Sequence, residues 1–430
     1  MKKRIFVSLL LIITLFWPFS SLWAITINDK LPDVHGFLEF DYGYKLKNDT
    51  TKKNEYNMLE QRLQLKTRYY PKRFLADWNS EIFFRGDFVL DEYFGGETAF
   101  DLREFYTQFS PATSVDVKLG RQIFTWGTGD YLFINDVFPK DYVSFFAGRD
   151  DEYLKVPSDG LRISFYNDIA NADVVVIPTF QPNIIPKGDR LSFFDSFQGG
   201  IAGRNSERRL VEPPKQLNNT EYALRLHRTV SNYETALYYF YGFYEMPRGY
   251  LNEANRELFY PALNVYGASL RGPILEGIGN IEIGYYDSRN NRKGNDRLIQ
   301  NSSFKLLTGY EKDMGNDFRI GVQYLYEQTL DYRNYKEALL TQDFRWDERR
   351  HLVTLRLTKL LWNQTLHLGF FTFYSPSDED TYLRPTISYD VNDHLTTTLG
   401  ANLIWGKDEI TEFGQMERNS NIYFRMRYNF

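Results

Sequence analysis

From Gly36 onward, side chains alternate between apolar and polar with a period of two over segments of about 9–15 residues, the signature of β-strands. In the first segment Leu38, Phe40, Tyr42, Tyr44 and Leu46 fall on one face, and Glu39, Asp41 and Lys45 on the other. In a later one Phe318, Ile320, Val322, Tyr324 and Tyr326 oppose Arg319, Gln323 and Glu327. The pattern predicts eighteen strands, over residues 36–47, 57–70, 76–90, 101–110, 114–124, 159–167, 171–180, 219–230, 233–245, 262–273, 278–288, 301–312, 317–328, 349–360, 363–375, 381–391, 394–406 and 419–430. It is weakest at 101–110, 159–167 and 171–180, which leaves sixteen strands as the alternative count.

The connections alternate in length. Short ones fall at 71–75, 111–113, 231–232, 314–316 and 392–393, and long ones at 125–158, 181–218, 246–261 and 329–349. Charges line the polar face of nearly every strand, which a soluble sandwich would also show. Strands of ~11–13 residues, an even count, and short turns alternating with long loops instead fit a tilted bilayer crossing. Hydrocarbon offers no partner to a backbone N–H or C=O, so such a sheet must close on itself. The expected fold class is therefore all-β: a transmembrane antiparallel β-barrel of about eighteen strands, its lumen narrowed by an inward loop.

Composition agrees. The chain holds 35 Phe, 32 Tyr and 7 Trp, 17% aromatic in all, yet its mean hydropathy is negative. A barrel reconciles the two by turning apolar side chains to lipid, placing Tyr and Trp in interfacial girdles, and facing polar residues onto a wet lumen. The absence of cysteine excludes a disulfide scaffold, a Cys-ligated metal, a thiol nucleophile and a lipidated N-terminal Cys. With 51 Lys+Arg interspersed among 56 Asp+Glu there is no footprint for nucleic acid.

Lys2, Lys3 and Arg4, the apolar stretch 5–17, and then Pro18, Ser20, Ser21 and Ala24 make a secretory signal peptide over residues 1–24, cleaved after Ala24. Residues 25–430 then form a single barrel domain, expected in the outer membrane of a Gram-negative bacterium. Its expected partners are outer-membrane lipid and lipopolysaccharide, the barrel-assembly machinery, and small polar solutes or a polysaccharide.

Candidate chemistry lies in the lumen. A barrel of 16–18 strands leaves an aqueous channel unless something fills it, and the loop at 125–158 is too long and too acidic for a simple turn. Its Asp130, Asp136, Asp141, Asp150, Asp151, Glu152 and, at its exit, Asp159 outnumber Lys140, Arg149 and Lys155. Folded inward, it would face a basic ladder of Arg62, Lys66, Arg68, Arg384, Arg425 and Arg427, setting a transverse field across the constriction; the alternative is that these charges only solvate the wall in paired ladders. Unbroken parity would point Arg121 at lipid, and Gly120 beside it reads as a bulge that turns it inward. Inward aromatics such as Tyr238, Phe240, Tyr244, Phe371 and Phe373 either pack against inward loops or stack on a passing solute.

No enzyme is expected. There are five His and no nucleophile elbow, zincin, Walker or dinucleotide fingerprint, so no catalytic residue and no cofactor are assigned. His351 has the lipid-facing phase, without an outward Ser to serve. Asp150, Asp151 and Glu152 are adjacent oxygen donors of the kind calcium takes, but adjacent acids in a loop read first as solvated charge, and no metal is assigned.

Two segments resemble known families. In the last strand Ile422, Phe424, Met426, Tyr428 and the terminal Phe430 share one face, similar to the C-terminal signature of bacterial outer-membrane barrels, and the resemblance implies that Phe430 is an assembly signal. The block Leu119, Gly120, Arg121, Gln122, then Trp126, Gly127, Asp130, Asn135, Asp136, Pro139 and Asp141 resembles the central block of a family of porin-like outer-membrane proteins of unknown function. More loosely it is similar to alginate-export-type and other eighteen-stranded porins. The resemblance implies a channel for passive diffusion or export of polar and charged solutes. The alternatives are an exporter of an alginate-like polysaccharide and a non-transport surface barrel, adhesive or structural.

Overall fold

The computed structural model describes residues 33–47, 55–71, 78–341 and 343–430. The signal segment 1–24 and most of the turn at 71–75 lie outside the described residues. The barrel strands begin with β1 Val34–Lys45, β2 Tyr56–Tyr69, β3 Glu81–Asp91, β4 Glu97–Ala112, β5 Val115–Gln122 and β6 Ser158–Phe165. They continue with β7 Asn171–Ile177, β8 Glu221–Val230, β9 Tyr233–Phe243, β10 Ala262–Ile274, β11 Gly277–Ser288 and β12 Ser303–Asp313. The circuit is completed by β13 Phe318–Thr329, β14 Arg349–Leu361, β15 Leu366–Ser375, β16 Asp380–Asp390, β17 Leu395–Gly406 and β18 Asn421–Asn429.

Each strand bonds its neighbours in sequence, and β18 closes the ring antiparallel on β1, from Phe37 opposite Asn429 to Lys45 opposite Asn421. Gly36 and Phe430 seal the seam by donating to each other's carbonyl at 3.0 Å. No edge is left, which is the condition for a sheet in hydrocarbon. The count is eighteen, with the three weakly patterned segments all paired in place.

The exterior carries the apolar phase: Tyr42, Phe88, Phe100, Leu119, Leu237, Tyr266, Ile281, Val322, Leu399 and Phe424 are all exposed. Rings meet near both rims, Trp362 on Tyr389 at the short-turn end and Tyr222 on Tyr241 at the long-loop end. The wall is lowest at β5, β6 and β7, which have 8, 8 and 7 residues against 16 in β4.

One expectation fails at this low wall. Arg121 does not turn inward: it stands directly opposite Phe105 and Asp159, and Phe105 is 53% exposed on the outer face. Gly120 has φ +129° but no register shift follows it, and a Cβ there would meet the Phe105 carbonyl at 2.4 Å. The bulge sits one strand away, where β3 and β4 slip at Arg85/Gly86 and leave Arg103 as the extra residue. The slip leaves the Leu102 carbonyl to accept a 2.8 Å bond from Arg121 Nε, and Asp159 neutralises the guanidinium at 3.1 Å. Asp159 is therefore an outer-face residue rather than part of the acidic loop.

Candidate functional site

Residues 123–157 leave β5, fold into the barrel and return to β6. Gln122 sets the departure, donating from Nε2 to the Gly160 carbonyl at 3.1 Å. Trp126 packs against Phe138 and Tyr238. Gly127 follows with φ +82°, and a Cβ would come within 2.9 Å of Glu282 Oε1, so the turn needs glycine for both conformation and space. Glu282, on β11, accepts from Thr128 N at 2.7 Å, Thr128 Oγ1 at 2.9 Å and Asn135 N at 2.7 Å. One wall carboxylate thus pins both limbs of the first bend.

Part of the loop's charge is spent inside the loop. Asp136 pairs with Lys140 at 3.1 Å, and the buried Lys140 Nζ also donates to the Phe138 carbonyl. Asp141 caps helix α1 (Tyr142–Ala147), its Oδ1 accepting from Ser144 N at 2.8 Å. These groups hold the loop's shape and are not presented to the wall as an open acidic patch.

The first half of the loop packs by apolar contact. Phe124, Leu132, Ile134, Val137, Phe138, Phe145 and Phe146 are buried in a cluster that lies within the barrel, which Leu154 of the second half joins. The wall meets them with rows of inward apolar residues in direct register: Val175, Ala223, Phe240, Val265 and Tyr286 across β7 to β11. Leu307, Leu325 and Leu352 form a second such row, offset from the first, across β12 to β14. Phe371, Phe373 and Tyr382 close the cluster. The inward aromatics Tyr238, Phe240, Tyr244, Phe371 and Phe373 are all buried, packed on the loop or on one another.

The second half docks by charge. Asp150 reaches Arg425 at 2.9 Å and Arg427 at 3.6 Å, and Glu152 reaches Arg427 at 2.9 Å and Arg85 at 2.5 Å. Arg425 and Arg427 are also held by the opposite strand, Arg425 by Asp41 at 3.0 Å and Arg427 by Glu39 at 2.5 Å. Asp151 meets Arg384 at 2.7 Å, and from the first half Asp130 joins this set by meeting Arg356 at 3.1 Å. Burial pushes the Asp150 carboxyl up, but the Arg425 and Arg427 guanidiniums outweigh it and hold the group below the usual aspartate value.

Arg149 belongs to a deeper node. The fully buried Glu60 on β2 accepts from Arg149 at 2.6 Å and forms ion pairs with Arg190 at 3.1 Å and Arg62 at 3.5 Å. Arg62 is turned to Asp87 at 2.8 Å and stacks on Tyr153 at 4.1 Å. Arg190 comes from the segment 178–220 and also pairs with Asp91, so this node ties two long loops to one wall.

Of the basic ladder read from the sequence, Arg384, Arg425 and Arg427 face loop carboxylates directly, and Arg62 meets the loop through Tyr153. Lys66 and Arg68 lie further down β2, exposed, with no ion pair to the loop among the described residues. Opposite charges meet in contact rather than across an open gap. Arg85, Arg103, Arg356, Glu39, Asp41 and Glu60 were not singled out by sequence reasoning. The closing register puts Glu39 opposite Arg427 and Asp41 opposite Arg425, so pairing the first strand with the last would have found two of them.

Beneath the second half of the loop lies a cavity of about 500 Å³. Tyr131, Asp150 and Asp151 form its loop side; Arg356, Arg384, Arg425 and Arg427 stand on the wall, with Thr386, Ser388, Thr396 and Thr398 toward the short-turn end. Five arginines, counting Arg149, face three aspartates, counting Asp390. Such a surface holds water and anionic groups better than apolar ones.

No family model and no curated protein matches the chain. Among solved structures it is similar to a mutant porin of Rh. blastica at 11% identity, covering 93% of this chain and 100% of that one with a TM-score of 0.41. It is similar to Salmonella typhi OmpF in complex with daunomycin at 7% identity, 93% and 97% coverage, and a TM-score of 0.44. The outer-membrane protein OmpT of Vibrio cholerae, in trimer form, gives 8% identity, 93% and 99% coverage, and a TM-score of 0.42. Closure of the barrel rests on the register of the chain's own strands.

Proposed function

We propose that the chain is an outer-membrane channel for small polar solutes, with the loop 123–157 as its constriction. The observation that carries this reading is the polar cavity of about 500 Å³ under the loop, inside a closed barrel whose exterior is apolar. A wall that only had to be stable would not need arginine-rich, hydroxyl-lined space at its centre. Export through the 1–24 signal and recognition of Phe430 by the assembly machinery complete the proposal. Phe430 is 44% exposed at the barrel seam, within reach of a partner.

Planar-bilayer recording of the mature, detergent-folded protein tests it. The expected result is stepwise conductance, small for an eighteen-strand barrel because the loop's apolar half fills much of the cross-section. Complete silence from a barrel that remains heat-modifiable on gels would overturn the channel and leave the surface-barrel reading, which the apolar filling of the lumen favours.

A further inference from the structure

Four wall arginines face the cavity, but they are not equivalent. Arg425 and Arg427 each touch more than one carboxylate, supplied by β1 and by the loop together. Arg356 and Arg384 each have one ion-pair partner among the described residues, and in both cases it is a loop aspartate, Asp130 or Asp151.

The two are also built alike. Arg356, Phe371 and Arg384 are direct cross-strand neighbours on β14, β15 and β16. Tyr131 lies edge-on to Phe371 with centroids 4.9 Å apart. The Arg356 guanidinium stands 5.3 Å from the Tyr131 centroid and the Arg384 guanidinium 5.0 Å from it. Aromatic faces hold both guanidiniums in place whether or not an anion is present. Tyr131 itself adopts φ +55°, a left-handed conformation that costs a non-glycine residue energy and is kept where the surroundings impose it. Its hydroxyl bonds Asp151, so the same ring that positions both arginines also touches the carboxylate on one of them. The Asp130 and Asp151 side chains remain 38% and 49% exposed, against 34% for Arg356 and 7% for Arg384. The anions can leave into water; Arg384, the buried one of the two cations, cannot.

We infer that Arg356 and Arg384, arranged around Tyr131, form a carboxylate-binding site in which Asp130 and Asp151 are internal occupants that a solute carboxylate displaces. The site takes small carboxylates, and dicarboxylates best, because two forked donors stand on one aromatic frame. This rests on the channel reading and specifies the solute class for the same cavity.

The test uses the mature full-length protein with succinate, acetate and uncharged succinamide as probes. In bilayers succinate should interrupt the current in a concentration-dependent way, acetate more weakly, and succinamide not at all. Arg384→Gln and Arg356→Gln should each raise the half-blocking concentration roughly tenfold, the loss of one charge-assisted pair. Asp151→Asn should lower it several-fold by removing the competitor. Lys407→Gln, at the far rim, should leave it unchanged. Equal block by succinamide, or block indifferent to both arginine variants in barrels that still conduct, would overturn the site.

If the protein conducts nothing, calorimetric titration of succinate into the folded barrel decides the site separately. Binding lost in Arg384→Gln and Arg356→Gln supports it, and absence of binding in the parent chain refutes it. Should a glutamine variant fail to become heat-modifiable, Arg384→Lys serves instead; it keeps the charge but loses the fork, and should still weaken succinate more than acetate.

Discussion

The two halves of the inward loop meet the same wall by opposite means. From 123 to about 146 the loop buries Phe124, Leu132, Ile134, Phe138, Phe145 and Phe146 against in-register apolar rows of the wall. From Arg149 to Lys155 it is docked chiefly through carboxylates and guanidiniums, with Tyr153 and Leu154 buried between them. Apolar contact is non-directional, carries no titrating group, and is strengthened by every methylene. Ion pairs at a wet cavity gain little net free energy and can exchange one anion for another. The contrast assigns anchoring to the apolar contacts of the first half, and exchange to the charged contacts of the second together with Asp130, which the first half sends to Arg356.

The largest effect should come from the anchor. Phe138, 2% exposed between Phe124 and Trp126, fills the centre of the apolar half. Phe138→Ala should cost roughly 3–5 kcal/mol of docking. The barrel should stay heat-modifiable, since no ladder bond is lost, while protease added to folded protein should cut within 123–157. Resistance equal to the parent chain would mean that charge alone holds the loop.

Next comes the node that both loops share. Replacing Glu60 by Gln leaves Arg149, Arg190 and Arg62 around a neutral amide, and a buried charge stripped of its partner costs about 3 kcal/mol. Amide hydrogen exchange should rise in 123–157 and in 178–220 together. A rise in only one would show that Asp91, which also holds Arg190, or the apolar half suffices for the other.

These two halves differ in how far the sequence reveals them. Strand positions are legible because most strands alternate an apolar outer face with a more polar inner one, and the closing strand Asn421–Asn429 does so as plainly as the first. The weak pattern at 101–110 has a physical source in the extra residue Arg103, which puts Arg103 and Glu104 on one face and breaks the alternation. The acids of the loop are legible as charge, but their roles are not. Asp136 and Asp141 look like Asp150 and Asp151 in sequence, yet the first two are spent on Lys140 and the α1 N-terminus. The apolar half shows in composition as a loop unusually rich in Phe and Tyr, a signal the acids overshadow. What it packs against depends on wall residues more than a hundred positions away, such as Val265 and Leu307, and no local period records that.

The smallest effect concerns the exchangeable half and is read by pH. The Asp150 carboxyl lies below its ordinary value because Arg425 and Arg427 overcome its burial. Its contribution is therefore fully present above the ordinary aspartate range and is lost only as pH falls through the depressed value. Between pH 7 and about 5 the protection factors of amides in 148–152, corrected for the intrinsic pH dependence of exchange, should stay constant, then fall as the medium becomes more acidic, while those around Phe138 do not change. Asp150→Asn should reproduce the acid state at neutral pH, at a cost of roughly 1 kcal/mol because the side chain is partly exposed. The same variant should move the reversal potential toward anions, less so at 1 M salt, where the Debye length is about 3 Å. Release of both halves at one pH would show the loop to be a single cooperative unit. The division between an apolar anchor and a charged, exchangeable arm would then fail.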